Sequence, residues 1–182
     1  RSKVIARSID FNKATFRPIK LTGTQPAPKY AFKGAATLVD GMSGNDNYAT
    51  GDWLGFIDGD VTAVIDLGSP TGNATAGNTA GLPEIKRVAT HAVVDMSAWI
   101  AGCTGLTVSV SDDNKSFREV ASKDFPAETD SRKKAVESYE ITFEPVKARY
   151  VKVLIKRTPA LPKGHPGAGK IPFLFIDEIV VE

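Results

Sequence analysis

Three segments of the chain alternate apolar and polar residues with a period of two, and this constrains the fold more than any other feature. Val61, Ala63, Ile65 and Leu67 share one side of residues 61–67. Leu106, Val108 and Val110 share one side of 106–111, with hydroxyls opposite, and Val151, Val153 and Ile155 share one side of 150–156, against Lys152 and Lys156. Successive side chains of a strand point to opposite faces, so each segment reads as a half-buried strand. Residues 173–181, rich in β-branched and aromatic side chains, add a fourth. Turn signals separate these segments at Asp40-Gly41, Asp58-Gly59, Gly68-Ser69-Pro70, Asp112-Asp113-Asn114 and Lys163-Gly164. No long stretch carries a helical period; at most a turn of helix fits near 97–100. Many strands with no helices to cover a parallel sheet imply antiparallel sheets stacked as a sandwich or jelly roll.

A chain of 182 residues can bury one core, so a single domain is expected. The net charge is only +2 and the basic residues are scattered, which gives no electrostatic footprint for nucleic acid or an anionic membrane. The one basic run, 132–134, reads as a solvated loop. Cys103 stands alone and cannot form an internal disulfide, and two histidines, His91 and His165, leave little material for a zinc site or a histidine-based triad. No apolar run reaches the length of a membrane span. The first residue is Arg1 and not Met, which suggests an excised or processed piece of a longer polypeptide. The low-complexity run 69–81 reads as a flexible surface loop, and within it Asn73-Ala74-Thr75 matches a glycosylation acceptor.

Residues 164–179, GHPGAGKIPFLFIDEI, imitate a phosphate loop run together with a magnesium-binding acid. The imitation fails on chemistry. A phosphate loop needs a helix whose first amides face the phosphates and a hydroxyl after the lysine for magnesium. Here Ile171 and Pro172 follow Lys170, and the next residues alternate as a strand. No nucleotide is expected.

The motifs LVDG (38–41), NYATGDWLGF (47–56), VIDLG (64–68), the pair Trp99-Ile100, VSVSDDNKSF (108–117), ARYVKV (148–153) and FLFIDEIVV (173–181) run in one order. In that order the chain resembles the coagulation factor V/VIII type C, or discoidin-like, domain. It is more closely similar to the family 32 carbohydrate-binding modules appended to secreted bacterial glycosidases. The resemblance implies an all-β fold, an antiparallel β-sandwich of discoidin-like jelly-roll type. It would occupy 1–182 as a single domain, with 1–33 as a lead-in and 34–182 as the core. It also implies a structural calcium ion, which takes six to eight oxygens. Asp40 and Glu178 would supply carboxylates, Gly41 the bend, and Thr37, Met42 and Asp177 carbonyls. Asn45 or Asn47 would replace a threonine that many members place after the Asp-Gly turn. Without the resemblance, these acids read as ordinary turn and edge-strand residues.

Sugars are held by an aromatic face against their C–H side, with a few polar groups on their hydroxyls. Trp53 in GDWLGF, Trp99 in MSAWIAG and His165 in KGHPGAGK are the candidates. His165 stands in a Gly-Pro-rich loop, where core packing explains an imidazole poorly, whereas His91 alternates within a strand and reads as structural. The function implied is a non-catalytic carbohydrate-binding module of a bacterial glycosidase. Its partners would be a glycan and an attached catalytic domain, in the periplasm, at the cell surface or outside the cell. A structural module with calcium and no sugar site is the alternative. An enzyme using Asp52 with Asp58, or Asp177 with Glu178, is disfavoured, because neighbours on a strand point to opposite faces and cannot flank one bond.

Overall fold

A computed structural model of the chain describes residues 7–69 and 81–182, so the Asn73-Ala74-Thr75 pattern and most of the low-complexity run lie outside the described residues. The strands are β1 (Ile19–Gly23), β2 (Leu54–Phe56), β3 (Val61–Asp66), β4 (Glu84–Asp95), β5 (Cys103–Ser111), β6 (Arg118–Asp124), β7 (Lys134–Lys147), β8 (Tyr150–Arg157) and β9 (Leu174–Val181). One sheet has the order β1-β3-β8-β5-β6 and the other β2-β9-β4-β7, with every pairing of named strands antiparallel. The expected antiparallel sandwich is the observed fold.

The alternation read from the sequence builds the core directly. Ala63, Val153 and Val108 are partners across three adjacent strands, and all three side chains are fully buried. Phe56, Ile176, Val88 and Ile141 face them from the other sheet. Each such side chain contributes roughly 1.5–3 kcal/mol relative to exposure, or less for alanine. The turn of helix expected near 97–100 is a short 3-10 helix, Met96–Ala98. The basic run 132–134 divides: Arg132 stays exposed in the loop, while Lys134 opens β7.

Two irregularities position the candidate site. In β9, Asp177 and Glu178 together stand opposite the single residue His91 of β4, because pairing steps from Thr90↔Ile179 to Ala92↔Ile176. This bulge shifts the parity of the strand: Leu174 and Ile176 face the core before it, and Ile179 and Val181 after it. The lead-in then closes over the region. Asp10 N–H donates to the Gly41 carbonyl at 2.9 Å, Phe16 N–H to Val39 at 2.7 Å and Lys13 N–H to Val181 at 2.9 Å. The Asp-Gly turn, the last strand and the start of the described chain therefore share one seam.

Candidate functional site

Asp40 and Glu178, far apart in sequence, meet beneath that seam with exposures of 8% and 2%. Gly41 makes the approach possible: its φ is +72°, and a Cβ there would lie 2.5 Å from the Ile9 methyl. Asp40 Oδ1 accepts from the Met42 amide at 3.0 Å and Oδ2 from Lys33 at 3.1 Å. Glu178 has no such help. Both of its carboxyl oxygens, and the Thr37 hydroxyl, are buried without a partner among the described residues. Burial, and then the neighbouring Asp40, push the Glu178 carboxyl up to about 10.

A buried acid with free lone pairs beside a second acid, on a sharply bent turn, has the donor chemistry of a hard cation site. No cluster of three or more His, Cys, Asp or Glu side chains gathers among the described residues. A cation here would therefore also draw on neutral oxygens such as the carbonyls of Thr37, Met42 and Asp177. Asn45 and Asn47 use their side-chain oxygens within their own loop, accepting from Asn47 N–H at 2.9 Å and Ala49 N–H at 3.0 Å.

The Asp177 carboxylate serves a different set of partners. It accepts from Gly44 N–H at 2.8 Å and Glu178 N–H at 2.6 Å, and contacts His91 Nδ1 at 3.1 Å. That hydrogen bond, opposed by burial, holds the His91 imidazole above its ordinary pKa. Gly44 is also pressed flat on the Trp53 ring, where any Cβ would collide. The expectation that Trp53 offers a face to ligand is corrected here: it is 0% exposed, and its indole N–H donates to the Asn45 carbonyl at 2.9 Å.

At the other end of β9 lies Trp99, 40% exposed and in the left-handed conformation, with φ 61° and ψ 39°. Two contacts hold the indole. His165 meets it edge-on with centroids 5.8 Å apart, and Gly167 lies so close that a Cβ would sit 2.8 Å from the ring. His165 is itself only 5% exposed, so the expectation of an outstretched ligand contact is corrected to a buried brace. Its Nε2 donates to the Met96 carbonyl at 2.6 Å and its Nδ1 accepts from Gly167 N–H at 2.9 Å, which fixes the tautomer. The imidazole is buried because it bridges the Gly167 amide of its own loop and the Met96 carbonyl of the turn after β4. The amides of Ala168, Gly169 and Lys170 likewise donate to carbonyls within the loop, so none is left to cradle a phosphate.

Trp99 and Arg132 line a cavity of about 390 Å³, with Ser97, Ser131 and the 164–166 loop completing the wall. Sequence reading set Arg132 aside as a solvated loop residue. Its place becomes visible only once the loop before β7 is folded beside the turn after β4.

Solved structures with the same architecture include carbohydrate-binding modules. The chitosan-binding module 1 of a chitosanase/glucanase from Paenibacillus sp. IK-5 matches with a TM-score of 0.54 and 16% identity, over 94% of this chain and 98% of that one. The family 32 module of AlyQ, solved with 4,5-unsaturated mannuronic acid, matches with a TM-score of 0.50 and 16% identity, over 91% and 93%. A family 32 module, CBM32-3, from a family 31 glycoside hydrolase of Clostridium perfringens gives 0.50 and 13%, over 94% and 92%. The chain has the fold of carbohydrate-binding modules. No protein-family model matches its sequence, and no curated protein sequence does. The likeness thus resides in the sandwich.

Proposed function

We propose that this domain is a non-catalytic glycan-binding module whose primary site is the cavity at Trp99 and Arg132. One observation carries the reading. A large aromatic ring is held half-exposed by the edge of His165 and the backbone of Gly167, with both His165 nitrogens and the amides of Gly167, Ala168, Gly169 and Lys170 already bonded, so the ring is presented and not merely left over. A sugar would lay its C–H face on the indole, and the Arg132 guanidinium would donate to its hydroxyl or carboxylate oxygens. Such shallow contacts gain strength from tethering, which fits a module attached to a glycosidase that acts on polysaccharides outside a bacterial cytoplasm. No helix among the described residues is long and apolar enough to cross a membrane. The relatives support the reading by class: the Paenibacillus protein is a chitosan-binding module and AlyQ's module was solved with a sugar acid.

The same proposal includes a structural calcium held by the carboxylates of Asp40 and Glu178, with carbonyls of Thr37, Met42 and Asp177. Its charge would allow both acids to ionise together, and the orphaned Glu178 oxygens support it. The Asp177 and Glu178 carboxylates serve separate neighbourhoods, which argues against their acting as an acid and base pair. Screening the isolated domain against immobilised glycans, with Trp99→Ala beside it, tests the reading. Binding that the substitution weakens is expected; binding unaffected by it removes the site.

A further inference from the structure

We infer that the outer face of the five-stranded sheet carries a second saccharide site, selective for acidic sugars and separate from the Trp99 cavity. The face is hollowed by a groove of about 540 Å³, larger than the cavity at Trp99. Its floor is set by register. Lys20 of β1 is the partner of Val64 of β3, and Val64 is the partner of Lys152 of β8. Partners across neighbouring strands point to the same face, so two lysines flank a half-buried valine, their Cα atoms two strand spacings or about 10 Å apart. Thr62 and Thr22 form the next row and present hydroxyls to the same groove.

Charge decides what this row would accept. Among the described residues neither Lys20 nor Lys152 has a carboxylate within ion-pair distance. The one acid lining the groove, Asp66, is already held by Arg149 through two hydrogen bonds of 2.9 and 3.0 Å. Its carboxyl is kept below the usual range chiefly by that guanidinium. The groove is therefore cationic in excess, and its complement is an anion. Two aromatic rings border it and steady the cations: Lys152 Nζ lies 4.1 Å from the Phe117 centroid, and Arg149 stands 5.0 Å over Tyr150. An apolar floor, aromatic borders, hydroxyls and paired ammonium groups suit a sugar ring bearing a carboxylate, as in a uronate polymer, better than a bare anion. The site is remote from the Trp99 cavity, because β8 runs from Tyr150 at the groove to Arg157, whose partner Cys103 follows the Trp99 turn.

Affinity electrophoresis of the whole domain separates this site from the first. In gels containing polygalacturonate, migration should be retarded. Lys20→Gln with Lys152→Gln should weaken that retention at least tenfold, and Trp99→Ala should leave most of it. Fully methyl-esterified polymer, which lacks the charge, should retain the lysine variant and the parent equally. The variants lie on the surface, and matching thermal transitions will show that they fold. Unchanged retention in the double lysine variant would overturn the site, as would loss confined to Trp99→Ala. Equal, lysine-dependent retention by polyglutamate would overturn it as a saccharide site. Failure of the Trp99 reading has a different signature: binding to every glycan indifferent to Trp99→Ala while the lysine dependence persists.

Discussion

The two tryptophan neighbourhoods are built from the same parts and come out opposite. Around Trp53, a glycine lies on the indole, Asp177 ties that glycine's amide to His91 and the ring is sealed inside, while the neighbouring Glu178 is left with two unmet carboxyl oxygens. Around Trp99, a glycine lies on the indole and a histidine stands near, but both His165 nitrogens and the amides of Gly167, Ala168, Gly169 and Lys170 are bonded and the ring faces water. One region hides its aromatic and leaves a buried carboxyl without a partner; the other bonds the polar groups that brace its aromatic and leaves the ring half-exposed. What a Trp does is thus decided by which polar groups around it still need partners.

The largest effect that would sharpen this contrast is loss of the inner ring. Trp53→Ala should cost about 3–5 kcal/mol in denaturant unfolding, and a loss under about 1 kcal/mol would mean that Trp53 is not core. Next is the ion. At a calcium concentration near a hundred times its Kd, chelation should remove about 3 kcal/mol and lower Tm by on the order of 10 °C, and Glu178→Gln should abolish that response. A transition indifferent to chelator in the parent protein would break the comparison at its acidic side. Chelated protein should also lose stability as pH rises from 4.5 towards about 10, because folded Glu178 keeps a proton that the unfolded chain has released. Calcium should flatten that slope.

Trp99→Ala should weaken glycan binding by about 2 kcal/mol, roughly thirtyfold in Kd, with Tm nearly unchanged; calorimetry on the best glycan from the screen measures both. The smallest effect belongs to His91. Its folded pKa is raised by Asp177, so its stabilising contribution is complete below about 6.5 and fades as pH climbs through the folded value. In calcium-loaded protein His91→Gln should remove that shallow decline, which is worth under about 1 kcal/mol for a half-buried group. An unchanged pH profile would show that the pair does not titrate with folding.

The sandwich was legible because β3, β5 and β8 bury one whole face, and full burial writes an unbroken alternation into the residues. The alternation in β7 is weak: the strand lies at the sheet edge, its inner side is only half-buried, and Glu137 interrupts the inward row of Ala135, Tyr139, Ile141 and Phe143. The bulge left a usable signal, since the core positions of β9 change parity between Ile176 and Ile179 at the two acids. Of the two histidines, His91 lies within a strand as its alternation implies, and only His165 misleads, for a physical reason. A Gly-Pro loop suggested an exposed His165, yet a tight loop must satisfy its own backbone and took the imidazole inside. The fates of Trp53 and Trp99 depend on where Gly44 and Gly167 land, and the placing of Lys20 and Lys152 on either side of Val64 depends on register across three strands. Neither relation is local.

The bonds from Asp10 to Gly41, Lys13 to Val181 and Glu182 to Arg87 set how force passes through this molecule. Tension applied to the backbone from both sides is shared along that seam, while the Trp99 turn stands the length of β9 away, about 25 Å. Stretching the polypeptide would load the seam before the geometry around Trp99.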